Sequence, residues 1–156
     1  MAFLNQSQRD IAGVLNFGIH VGPTASTAYV AATAQTLFTV TGGKCFVTLF
    51  MGTVTTIHEN TTLNIKTQTA PTVGTAVALS TDVDTDTLEA GATLFVEGDG
   101  SATVAANGGV VLAASAAGRG FIVSEGTITF TPGATATGAT DWELWYWPLD
   151  DGAAIA

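Results

Sequence analysis

Trp142-Glu143-Leu144-Trp145-Tyr146-Trp147-Pro148-Leu149 holds all three tryptophans of the chain. In an extended strand successive side chains point to opposite faces. That places Trp142, Leu144 and Tyr146 on one face and Trp145, Trp147 and Leu149 on the other. A strand apolar on both faces has to be covered on both sides. One side can be the domain's own core. The other needs a second sheet, an N-terminal arm or a partner subunit. Large aromatics favour association, and a sugar-stacking platform is the competing use of such rings. Pro148 has no N–H, so it ends the strand or lies at a sheet edge. Asp150-Asp151-Gly152 then turns the tail toward solvent.

The residues before this stretch repeat one pattern, short β-rich runs separated by Gly and Pro. Thr36-Leu37-Phe38-Thr39-Val40 is followed by Gly42-Gly43 and then by a long run from Lys44 to Ile57, which bends at Gly52. A Gly-Gly between two such runs predicts a hairpin. Along the long run, Cys45, Val47, Leu49 and Met51 form a wholly apolar face, while Phe46, Thr48, Phe50 and Gly52 form a mixed one. Leu63 to Thr67, Thr75 to Leu79, Thr93 to Glu97, Ala102 to Ala106 and Val110 to Ala113 read as further strands. Phe121-Ile122-Val123 and Thr127-Ile128-Thr129-Phe130 flank Ser124-Glu125-Gly126, a second expected hairpin. Gly133 to Thr140 is low in complexity and reads as a loop or weak edge strand. Roughly eight to ten strands with this punctuation predict one all-β domain, a β-sandwich or jelly roll, over 36–156.

Residues 1–35 differ. Ile11 to Leu15 offers one or two helical turns, weakened by Gly13 and Gly18, and residues 16–35 carry Gly18, Gly22 and Pro23 with no clear period. The segment as a whole also carries Phe3, Leu4, Ile11, Val14, Leu15 and Phe17, too many apolar groups to leave in water comfortably. An extended arm packed on its own domain or on a neighbour is expected.

Composition narrows the function. The 156 residues carry 4 Lys plus Arg against 13 Asp plus Glu, a net charge of −9. Arg9, Lys44, Lys66 and Arg119 lie far apart, so no basic patch exists for nucleic acid. Thr is abundant, with 27 residues, and the straight-chain helix formers are scarce. With 47% hydrophobic and 11% charged residues the chain is not of the disordered class. No run of 18 or more apolar residues predicts a membrane-spanning helix. Met1 to Gln6 lacks the basic and apolar regions of a secretory signal. The single cysteine, Cys45, rules out an internal disulfide and reads as a small buried hydrophobe.

Catalytic chemistry finds little support. His20 and His58 are the only histidines, and neither shares ligand spacing with Cys45. There is no Gly-x-Ser-x-Gly elbow and no P-loop. Asp82, Asp84 and Asp86 resemble the opening of a calcium loop, but Thr87 and Thr93 stand where Gly and Glu are required. A solvated acidic loop is the simpler reading. No cofactor and no enzymatic activity are expected.

Leu37-Phe38-Thr39-Val40-Thr41-Gly42-Gly43-Lys44, continuing through Phe50-Met51-Gly52-Thr53-Val54-Thr55-Thr56, resembles small β-rich virion proteins of tailed bacteriophages, as does the ending Trp142 to Gly152. The resemblance implies a head decoration or cement protein on the capsid exterior, frequently trimeric, whose partners are the major capsid protein and further copies of itself. The expected contacts come from Trp142, Trp145, Trp147 and Leu149 and from Phe3, Leu4 and Phe17 of the arm. A carbohydrate-binding module of a tail or fibre, using Trp142, Trp145 or Trp147, is the alternative. A β-scaffold hydrolase and a pilus subunit are the weaker rivals.

Overall fold

The computed structural model describes residues 17–59, 63–86, 88–98, 104–106 and 120–156. Every element among them is a strand: β1 (Ile19–Tyr29), β2 (Gln35–Thr41), β3 (Cys45–Thr56), β4 (Asn64–Pro71), β5 (Val77–Ala78), β6 (Val83–Asp84), β7 (Thr93–Phe95), β8 (Val104–Ala106), β9 (Phe121–Val123), β10 (Gly126–Pro132), β11 (Ala136–Pro148) and β12 (Ala154–Ile155). They form two antiparallel sheets, and the fold is an all-β sandwich. Sheet A runs β1-β11-β3-β7-β8, with β9 also on β3; sheet B runs β12-β2-β10-β4-β5, with β6 also on β4.

The aromatic strand decides the packing. Trp142, Leu144 and Tyr146 are buried, as their alternation requires, and β11 lies between β1 and β3. Rings then join the two sheets. Phe50 of sheet A meets Phe38 of sheet B at 5.9 Å between centroids, Trp142 meets Phe130 at 5.7 Å, and Tyr29 meets Phe130 at 5.1 Å. Edge and tilted contacts of this kind add to area burial. Gly52 stands opposite Trp142 in the ladder, and a Cβ there would come within 2.9 Å of the indole. The glycine makes room for the ring.

A buried polar cluster ties β1 and the segment after β3 to β11. Trp142 Nε1 donates to Ser26 Oγ at 3.0 Å, and Ser26 Oγ donates to the Thr140 carbonyl at 3.2 Å. The Tyr29 hydroxyl lies 2.8 Å from Thr140 Oγ1, and His58 Nε2 lies 3.1 Å from the same oxygen. Buried polar groups persist where they are paired in this way. His58 Nδ1 has no hydrogen-bond partner of good geometry. Burial holds the His58 pKa below its ordinary value, and the Thr85 carbonyl pulls weakly the other way.

Several sequence expectations change. Gly42 and Gly43 take φ of 71° and 134°, as a tight turn needs, but β2 and β3 lie in different sheets. The same holds for β9 and β10 around Gly126. Both expected hairpins are crossings between sheets, because each pair of runs finds its partner in a distant strand. Residues 19–29 are a strand of sheet A rather than part of a separate arm over 1–35. Register shifts between Val21 and Thr24 and between Thr27 and Tyr29 break the alternation that would have revealed β1. A shift between Trp145 and Tyr146, opposite Leu49 and Val47, inserts Thr48 as a bulge in β3. The inward phase changes there, from Cys45 and Val47 to Phe50, Gly52 and Val54. Strand β11 reaches back through the low-complexity stretch to Ala136, and the tail pairs as β12 instead of entering solvent. The expected strand at Val110 to Ala113, and arm residues Phe3 and Leu4, lie outside the described residues.

Two outcomes follow from this core. Trp142→Ala removes the ring that bridges the sheets and costs about 3–5 kcal/mol, read as a fall in melting temperature. A buried histidine with a lowered folded pKa favours the neutral form, so its contribution is complete above the unfolded pKa and is lost as pH falls below about 6.5. Chemical denaturation at a series of pH values shows a shallower acid-side decline for His58→Gln than for the wild type.

Candidate functional site

The outer face of sheet A is the unusual surface of this molecule. Partners directly opposite in an antiparallel ladder share a face. Trp147 faces out beside Phe46, and Phe46 beside Ile122; Trp145 faces out between His20 and Leu49; Glu143 lies beside Met51, and Met51 beside Phe95. Trp145, Trp147, Phe46, Leu49, Met51 and Phe95 are only half-buried, and Ile122 is 61% exposed. The outer face of sheet B is polar by contrast: Thr39, Thr41, Lys66, Gln68, Thr127 and Thr131. A sandwich ordinarily presents polar residues on both outer faces. A contiguous apolar face marks an interaction surface.

The rim of this face is acidic and polar. His20 Nε2 lies 2.9 Å from Glu143 Oε2, and the His20 ring stacks on Trp145 with centroids 4.5 Å apart. At 42% and 28% side-chain exposure the pair is a surface ion pair when His20 is protonated. The Thr48 hydroxyl, on the bulge, is shared between the carbonyls of Phe17 and, at 3.2 Å, Trp145. Phe17 is 52% exposed and Leu149 is 51% exposed. Leu149 follows the end of β11, where its N–H donates to the Lys44 carbonyl and Asp150 accepts from the Lys44 N–H.

The interface residues expected from sequence therefore divide. Trp145, Trp147, Leu149 and Phe17 present surface to solvent. Trp142 is fully buried in the protomer's own core, so neither a partner nor a sugar reaches it; its indole is held by Ser26, Phe50 and Phe130. His20, Phe46, Leu49, Met51, Phe95 and Ile122 were missed as members of the face. The available signal was β3 itself, which carries Phe46 and Phe50 on its mixed face opposite a wholly apolar one; beside β11 it implies a second covered surface.

The remaining candidates resolve into structural roles. Asp86 accepts a short hydrogen bond from the Leu63 N–H, and Asp84 accepts from the Asp86 N–H at 2.9 Å. These carboxylates brace their own loop. Among the described residues no group of three or more His, Cys, Asp or Glu is placed to hold a metal ion. Cys45 is buried, and burial, followed by the nearby Asp150 charge, raises its thiol pKa. A raised pKa opposes thiolate chemistry. Among the described residues no helix is long and apolar enough to cross a membrane.

Compared with known proteins, the chain matches no family model, no curated protein and no solved structure.

The two faces of β11 predict opposite mutational behaviour. Trp147→Ala, on the outer face, changes the stability of the isolated protomer by about 1 kcal/mol or less, in the range of surface substitutions. Thermal denaturation of this variant beside Trp142→Ala measures the difference.

Proposed function

We propose that this chain is a structural protein of a tailed-bacteriophage virion, a head decoration or cement protein that binds the capsid exterior as a homotrimer. The observation that carries the reading is the asymmetry of the sandwich. One outer face is threonine-rich and suited to water; the other is apolar and carries Trp145 and Trp147. A cement subunit needs a rigid body, an adhesive face for its neighbours and for the major capsid protein, and a polar face toward solvent. It needs no nucleophile, cofactor or membrane segment, and its net charge of −9 keeps it soluble before assembly and away from nucleic acid.

Burying Trp145 and Trp147 in such a contact contributes roughly 1.5–3 kcal/mol each before the costs of association. Leu49, Phe46 and Met51 add area around them.

Mass spectrometry of purified particles tests the reading through copy number. Hundreds of copies per particle agree with decoration, whereas a handful place the protein in the tail or connector and overturn it. Trp145→Ala lowers occupancy on capsids at least tenfold at subsaturating concentration. Unchanged occupancy removes this face from the contact, and glycan-array binding by the purified protein favours a sugar-binding module instead.

A further inference from the structure

We propose that His20 and Glu143 link docking at the outer face of sheet A to proton uptake, so that a neighbouring copy is held more tightly as pH falls through the neutral range. This rests on the reading of that face as the adhesive surface of a self-associating shell subunit and specifies how its grip is regulated.

The pair is built by the irregularity of β1. His20 stands opposite Trp145 and Val21 opposite Leu144, but the ladder resumes only at Thr24 opposite Trp142. No β1 residue therefore stands opposite Glu143. Gly22 passes so close that a Cβ there would lie 2.9 Å from the Glu143 Cβ. With no neighbour at its own level, the Glu143 side chain turns along the edge to His20, whose Nε2–H donates to Oε2 at 2.9 Å. The imidazole in turn lies on Trp145, with ring centroids 4.5 Å apart. One carboxylate is thus set into an apolar face, with Met51 opposite it on β3.

Few other charges surround the pair. On β11, Asp141 shares the outward phase of Glu143 two residues along the strand, about 7 Å away. On β3 the outward residues at this level are Leu49, Met51 and Thr53, none of which titrates. Strand β1 carries no charged side chain besides His20, and among the described residues no strand lies beyond it. The described cations stand elsewhere: Lys44 at the Asp150 turn and Lys66 in sheet B. Among the described residues His20 is the counter-ion within reach of Glu143.

Covering the face takes this carboxylate out of water. A buried carboxylate is costly without a counter-charge and less so with one. Histidine changes charge in the neutral range. Neutral His20 offers Glu143 a hydrogen bond alone. A second proton, at Nδ1, adds the opposite charge and strengthens the stack on Trp145. The covered face therefore favours protonated His20 more than the open face does. Docking takes up as much as one proton per face; the gain is complete at acid pH and is lost as pH rises through the pKa of the covered form.

Light scattering at pH 6 and pH 8, at constant ionic strength, tests the linkage on the wild type, His20→Gln and Glu143→Gln, with occupancy on particles measured alongside. Wild-type self-association is expected to be about tenfold tighter at pH 6 than at pH 8, one proton being worth at most about tenfold per pH unit. His20→Gln stays weak at both values, because its carboxylate has no counter-charge. Glu143→Gln is tight at pH 8 and is not tightened further at pH 6, because no carboxylate is left to neutralise. Equal wild-type association at the two pH values overturns the linkage. So does a dependence that survives in His20→Gln, which assigns it to the net charge of −9 or to His58 in the core. A wild type that is monomeric at both values overturns it together with the adhesive reading of the face. Failure of the shell reading alone looks different: self-association follows pH as expected and the two variants are flat, but none of the three binds particles.

Discussion

Strand β11 cannot be satisfied by one sheet packed on one core. Its inward residues Trp142, Leu144 and Tyr146 require a thick aromatic interior, which Phe50, Phe130 and Tyr29 provide. Its outward residues Trp145 and Trp147 remain after that interior is complete. The rest of the architecture follows from this imbalance. Gly52 is small because Trp142 needs its space. Edge strand β1 is held by hydroxyl and imidazole groups as well as by its ladder, because Ser26 and Tyr29 meet the polar ends of Trp142 and His58. The functional reading uses what is left over, an apolar surface that the described residues leave uncovered.

Much of the architecture was legible in the chain. The all-β class, most strand positions and the inward set of β11 follow from period-two alternation and Gly/Pro punctuation. The alternation also showed β11 to be apolar on both faces and β3 to have one apolar and one mixed face. What could not be read locally was partnership. Gly42-Gly43 and Gly126 have the backbone freedom of hairpin turns, and they use it, but the strands they join belong to different sheets. A turn specifies that the chain reverses; the packing of distant aromatics decides which sheet receives it. Strand β1 was hidden for a different reason, since two register shifts within eleven residues leave no clean period.

The candidate surface was half visible. Trp145, Trp147 and Leu149 were readable because strong alternation assigns faces within one strand. Phe46 and Leu49 were misplaced because the bulge at Thr48 changes the phase of β3 partway along, so residues assigned to opposite faces share one. Phe95 and Ile122 belong to three-residue strands, too short to announce a face on their own. The membership of a surface spread over five strands depends on registers that sequence periodicity does not carry.

The position of β11 in sheet A has a consequence for biosynthesis. It is inserted between β1 and β3, so the first strand of the described chain has no ladder partner until the last long strand has been made. Pairings that span nearly the whole chain are slow to form and leave little native structure in an incomplete product. A chain cut short before Ala136 would expose β3 along one side and leave β1 without its ladder, a target for proteases. The topology thereby acts as a proofreading step: only polypeptides synthesised through β11 can complete sheet A.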